Sequence, residues 1–89
     1  MDVKVRLFAL ARQKAGRSEV SVVLPEPATV RDLRAALAET FPELAPMVQS
    51  VLIAVAAEYA DDDQPITPGS ELAVIPPVSG GSTWTRNDD

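Results

Sequence analysis

One amphipathic helix set between strand-like segments constrains this chain more than any other feature. Val30, Leu33, Leu37 and Phe41 fall on a single stripe at helical spacing, while Arg31, Arg34 and Glu39 face away from it. Thr29 and Asp32 occupy capping-box positions, where each can satisfy the other's free backbone donor. Pro42 ends the element, because the residue before a proline avoids the helical region. The apolar stripe needs a surface to cover, and the flanking sequence supplies a sheet.

Val3-Lys4-Val5-Arg6-Leu7 alternates apolar and charged residues, the period of a half-buried strand. Phe8 breaks that alternation, so Leu7 takes the core-facing slot and Phe8 leaves it. Ala9 to Ala15 reads as a short helical turn ended by Gly16, and Glu19 to Leu24 alternates again with Val20, Val22 and Leu24 on one face. Beyond the helix, Glu43 to Ser50 holds a further short turn. Val51-Leu52-Ile53-Ala54-Val55 is a continuous apolar run, which predicts a strand in the middle of the sheet. Glu58 to Gln64 is polar, Pro68-Gly69 signals a turn, and Glu71 to Ile75 is the final strand. Strand, strand, helix, strand, strand predicts an α+β fold: a mixed sheet with one principal helix packed across one face. That is the β-grasp, or ubiquitin-like, arrangement, with the final strand central beside the first.

The 89 residues make one domain, and their 46% hydrophobic content suffices for a single core. There is no cysteine and no histidine. Disulfides, thiolate metal sites and the usual nucleophilic triads are therefore excluded, along with the side chain that most readily moves protons near neutral pH. A net charge of −5 with no basic cluster argues against nucleic acid and suits a basic protein partner. No apolar run approaches the roughly 20 residues that span a bilayer. The start, Met1-Asp2-Val3-Lys4, lacks a signal-peptide hydrophobic region, and the reading is a soluble, cytoplasmic protein without a membrane partner.

The final strand runs through Ile75 into Pro76-Pro77-Val78-Ser79-Gly80-Gly81. Prolines cannot continue a central ladder, because they lack the N–H donor. Two adjacent glycines have no side chains and can thread a narrow channel, placing a backbone carboxyl group deep in another protein's active site. This is what a small protein needs if its own carboxyl group reacts. Ser82 to Asp89 follow the glycines, so that group is held in an amide unless the last eight residues are removed.

Over residues 1 to 81 the chain resembles the small subunit of molybdopterin synthase and related ubiquitin-like sulfur-carrier proteins. The resemblance is carried by Val3-Lys4-Val5-Arg6-Leu7-Phe8-Ala9, by Thr29-Val30-Arg31-Asp32-Leu33, by Pro65 to Leu72 and above all by Ile75 to Gly81. It implies a carrier that is not itself catalytic and acts within a molybdopterin synthase complex. A ubiquitin-activating-type adenylyltransferase would use ATP to adenylate the Gly81 carboxylate, and sulfur transfer would convert it to a thiocarboxylate. The large subunit of molybdopterin synthase would then take the sulfur into the molybdenum cofactor. The carrier itself would bind no cofactor and no metal. Gly81 is the reacting residue and Gly80 its neighbour in the arm. Phe8, Tyr59, Ile75, Pro76, Pro77 and Val78 match the partner-facing positions, although Ile75 fits core packing equally well.

Two departures from the family pattern bear on the reading. The glycine pair usually ends such chains, whereas here an octapeptide follows; the expectation is trimming after Gly81 by a processing metallopeptidase. Ile75 stands where the family often has an aromatic. The expected organisation is thus a carrier domain at 1–79, a reactive arm at 80–81 and a removable tail at 82–89. The alternatives are a carrier for another thio-metabolite, thiamin or cysteine pathway, and a ubiquitin-like binding module that is never thiolated. Asp61-Asp62-Asp63 lacks the calcium-loop spacing and reads as a solvated turn. Arg12, Lys14 and Arg17 read as solvated. Trp84 is either a recognition residue for the peptidase or a group that docks on a neighbouring molecule.

Overall fold

In the computed structural model, residues 1 to 76 are described. The chain begins with a strand, Asp2–Leu7 (β1), a helix, Ala9–Ala15 (α1), and a strand, Glu19–Val23 (β2). A short strand, Ala28–Thr29 (β3), leads into the principal helix, Val30–Thr40 (α2), and a 3₁₀ turn at Pro42–Leu44. The remaining strands are Leu52–Val55 (β4), Glu58–Tyr59 (β5), Pro65–Ile66 (β6) and Leu72–Ile75 (β7). Five strands form one mixed sheet in the order β2-β1-β7-β4-β5, while β3 and β6 pair separately. The chain has the expected α+β, β-grasp architecture, with α2 across one face.

The central strand is β7, parallel to β1 and antiparallel to β4. This matches the expectation for the last strand and corrects the one for Val51 to Val55. The apolar run of β4 lies one place further out, flanked by the two-residue β5, and Leu52 stays 40% exposed. A continuous apolar run reads as buried on both faces, but among the described residues only one face of the sheet is covered by a helix.

The core follows the sequence periods. Val3, Val5 and Leu7 of β1, Val20 and Val22 of β2, and Leu72 and Val74 of β7 all point under α2, which answers with Val30, Leu33 and Leu37. Phe41 packs half-buried against this core, and the Arg17 guanidinium lies 5.9 Å from its ring centroid. The turns between Pro42 and Ser50 add Leu44 and Val48 to the same cluster.

The start of α2 is tied down more fully than capping alone provides. Asp32 Oδ2 accepts the Thr29 backbone N–H at 2.9 Å and lies 3.3 Å from the Thr29 hydroxyl, within the capping box read from the sequence. The Val30 and Arg31 N–H groups donate to the Gln64 and Asp62 carbonyls, each at 3.0 Å. These donors have no partner within the helix, and the segment before β6 supplies one.

Arg34 does not face away, contrary to the helical stripe. Its side chain is 12% exposed and donates from Nε to Asp62 Oδ1 at 2.8 Å. Nη1 donates to the Val48 carbonyl at 2.5 Å and to the Val51 carbonyl at 2.9 Å. The acidic triplet is accordingly more than a solvated turn: Asp62 binds Arg34, and Asp63 meets Arg31 at 3.0 Å on the surface.

Candidate functional site: the open face of the sheet

Side chains alternate across a strand, so the residues between the core positions form the face opposite α2. Strand register sets Glu19, Arg6, Ala73, Ala54 and Tyr59 side by side across the five strands. In the next row Leu52 is paired with Ile75. The Phe8 N–H donates to the Val74 carbonyl at 3.2 Å, just past the Leu7–Val74 pair, which brings Phe8 beside Ile75.

The result is an apolar patch with two alanines for a floor. Ala54 is 6% exposed yet lies outside the main core cluster, because the taller side chains of its own face cover it. Around it Phe8 is 40%, Leu52 40% and Tyr59 68% exposed. A hollow of about 270 Å³ opens here, lined by Arg6, Phe8, Ala57, Tyr59, Ala73 and Ile75 among others. The Arg6 guanidinium sits 5.8 Å from the Phe8 ring centroid, a cation–π contact that holds the ring against the strand.

Three alanines with left-handed backbone bracket this patch. Ala9, directly after Phe8, has φ 53°, while Ala56 and Ala57 have φ 53° and 70°. The latter two form the two-residue turn of the β4–β5 hairpin, where paired positive φ angles match the twist of the strands but normally call for Asn-Gly. Strained backbone of this kind tends to collect where a surface is used. Ala9 reverses the chain so that Phe8 stays on the open face as α1 begins, and Ala56–Ala57 return it so that Tyr59 does the same.

A second hollow, of about 690 Å³, adjoins the patch and carries charge of both signs, with Lys4, Arg6 and Arg12 set against Asp2, Glu19 and Glu71. Arg12 therefore lines this hollow together with Lys4 and Arg6. No group of three or more acidic side chains that could hold a metal ion occurs among the described residues. No helix among them is long and apolar enough to cross a membrane.

Of the site residues read from the sequence, Phe8, Tyr59 and Ile75 converge on this face. Ile75 points away from the core, so the core alternative fails for it. Pro76 is buried at the end of β7. Pro77, Val78, Gly80 and Gly81 lie outside the described residues. Leu52 was missed, because an apolar run does not reveal which of its residues face outward, and Ala54 and Ala73 were missed as the floor.

Comparison with known proteins agrees with this geometry. The ThiS family model matches residues 5–81. The molybdopterin synthase sulfur carrier subunit of Arabidopsis thaliana is 35% identical over 81 residues, covering 91% of this chain and 84% of that protein. SAMP1 from Haloferax volcanii superposes with a TM-score of 0.80 at 30% identity, covering 91% of this chain and all (100%) of that one. A putative molybdopterin converting factor subunit 1 from Pyrococcus furiosus gives a TM-score of 0.76 at 34% identity, covering 86% of this chain and 98% of its own. By sequence and by fold, the chain belongs to the ThiS family.

Proposed function

We propose that this protein is the sulfur carrier of a molybdopterin synthase, and that its working form ends at Gly81. The observation that carries the reading is where the family match stops. It ends at Gly81, behind the central strand whose open face forms the apolar patch, and leaves Ser82 to Asp89 outside. The name of the Arabidopsis relative, a sulfur carrier subunit of that synthase, supplies the pathway.

In this reading a metallopeptidase first hydrolyses the Gly81–Ser82 amide. The freed carboxylate attacks the α-phosphorus of ATP on a ubiquitin-activating-type adenylyltransferase, giving an acyl-adenylate and pyrophosphate. A sulfur donor then displaces AMP and leaves a thiocarboxylate. The carrier's own part is positional. Phe8, Leu52, Tyr59 and Ile75 dock on the partner, while the glycines reach its active site without side chains to clash. The same patch serves the adenylyltransferase and the synthase large subunit in turn, since the last strand ends beside it at Ile75.

The direct test is mass spectrometry. A chain ending at Gly81, incubated with ATP, the adenylyltransferase and a sulfur donor, gains the mass of one oxygen-to-sulfur exchange. Addition of the large subunit and molybdopterin precursor then reverses the gain and yields molybdopterin. A thiolated chain that cannot supply the large subunit would instead indicate another sulfur acceptor.

A further inference from the structure

We propose that the outer edge of β2 is an interface for a second copy of this chain, which pairs its own β2 antiparallel about a two-fold axis at Ser21. β2 ends the five-stranded sheet, and among the described residues no strand pairs with its outer side. At one end of the β1–β2 ladder the Leu7 N–H donates to the Ser18 carbonyl; at the other, Met1 and Leu24 each donate to the other's carbonyl. Alternation between these ends turns Val20 and Val22 toward β1 and leaves the N–H and C=O groups of Glu19, Ser21 and Val23 at the free edge. Natural edges are blunted by shortness, lysine, proline or a bulge. β5, at the opposite edge, has only two residues. β2 has five, pairs with β1 without a break, and holds neither lysine nor proline. Val23 on it is 72% exposed, the highest value among the large apolar residues described.

The sequence of β2 favours its own copy as the occupant and fixes the register. Centred on Ser21, the pairing sets Ser21 opposite Ser21 and Glu19 opposite Val23 of the second copy, the latter twice by symmetry. Every outward residue then exchanges hydrogen bonds, about six in all. A register centred on Val22 sets Glu19 against Pro25, which has no N–H, and one centred on Val20 carries Val23 past the strand to Arg17. In the Ser21 register the Cα atoms of the two Glu19 residues stay ~14 Å apart. Arg17 comes level with Pro25 of the second copy, one position from Glu26 of that copy, so exposed opposite charges flank the pair at both ends. Because β1 lies between β2 and β7, the pairing leaves Phe8, Tyr59 and Ile75 uncovered. The continuous sheet sets the two β7 strands ~24 Å apart, with both apolar patches on one face. Pairing is thus independent of the sulfur chemistry.

One strand from each copy makes a small interface of the weak, transient kind, which concentration tests directly. Sedimentation of the 89-residue chain should show a monomer that dimerises as concentration rises a hundredfold. The backbone amides of Glu19, Ser21 and Val23 should shift with it, while those of Tyr59 and Ile75 stay. Val23→Glu sets like charges opposite each other and should weaken the association several-fold, whereas Val23→Lys sets a cation opposite Glu19 and should strengthen it. The chain has no cysteine, so a single introduced thiol reads the register. Opposite residues of a hydrogen-bonded pair lie ~5.5 Å apart at Cα, within disulfide reach. Under mild oxidation Ser21→Cys should give a disulfide dimer, while Glu19→Cys and Val23→Cys should each stay monomeric alone and cross-link when mixed. Concentration-dependent shifts at Phe8, Tyr59 and Ile75 instead would overturn the proposal, by placing the second copy on the apolar patch. A chain that stays monomeric throughout would overturn it too, as would Glu19→Cys cross-linking alone as fast as Ser21→Cys.

Discussion

The Arg34 guanidinium on α2 and the Asp62 carboxylate after β5 meet at 2.8 Å, with Arg34 largely enclosed and Asp62 half open to solvent. The same guanidinium takes the carbonyls of Val48 and Val51. One side chain therefore fastens α2 to the segments on both sides of the β4–β5 hairpin, which carries Leu52 and Tyr59 to the open face. Arginine suits this task because its planar fork can serve several acceptors at fixed angles.

Removing Arg34 should be costly out of proportion to its charge. Arg34→Met leaves two carbonyls and one carboxylate without their donor, and a loss of about 2–4 kcal/mol is expected from urea denaturation. Asp62→Asn keeps the shape and much of the hydrogen bonding at a half-exposed position, so about 1 kcal/mol or less is expected. Equal losses in the two variants would mean that the carbonyl contacts contribute little.

How much of this was legible in the sequence depends on whether a feature is periodic. Val3, Val5 and Leu7, like Val20 and Val22, announce their strands by alternation, and Thr29 with Asp32 marks the helix start. Phe8 was legible as an outward residue because Leu7 already filled the inward slot. Arg34 was not, since a helical wheel records which way a residue points from its own helix and not which loop arrives above it. The two-residue strands β3, β5 and β6 are too short to show a period. The β4–β5 turn was hidden for another reason: Ala56-Ala57 carries none of the Asn or Gly that such turns usually require.

That turn yields a stability prediction of opposite sign. Ala57 holds φ at 70°, where an L side chain is strained by roughly 1–2 kcal/mol, whereas glycine is not. Glycine's greater freedom in the unfolded chain returns part of the gain. Ala57→Gly should therefore raise stability by about 0.5–1 kcal/mol, visible as a higher urea midpoint at unchanged slope. Lower stability would show that the Ala57 methyl group packs against the patch more than its backbone is strained.

Phe8 separates binding from folding. It is 40% exposed on the open face, whereas Leu33 under the sheet is fully buried. Phe8→Ala should lower stability by about 2 kcal/mol or less, on the scale of 25 cal/mol per Å² of apolar area. It should weaken binding of the chain ending at Gly81 to the synthase large subunit by about 1–3 kcal/mol, as loss of an aromatic anchor does. Leu33→Ala should do the reverse, costing about 2–5 kcal/mol of stability with little effect on the affinity of the folded fraction. Calorimetric titration together with thermal melts distinguishes the two patterns. A Phe8→Ala chain that melts early and binds normally would return the ring to the core.

The last prediction concerns the reacting end. Gly80 and Gly81 have no side chains, so neither can supply an apolar group to the core. Gly81→Val should accordingly leave the melting curve of the trimmed chain unchanged. Its β-branched side chain should nevertheless prevent entry to a channel fitted to two glycines, and no thiocarboxylate should form. The uncut 89-residue chain should also fail, for a different reason: its Gly81 carbonyl is an amide, and no adenylate can form there. The two failures are distinguishable, because a purified metallopeptidase that cleaves after Gly81 rescues the uncut native chain and cannot rescue the trimmed valine variant. If the uncut chain, shown intact throughout by mass, is thiolated as fast as the trimmed one, Gly81 is not the reacting residue and the precursor reading is wrong.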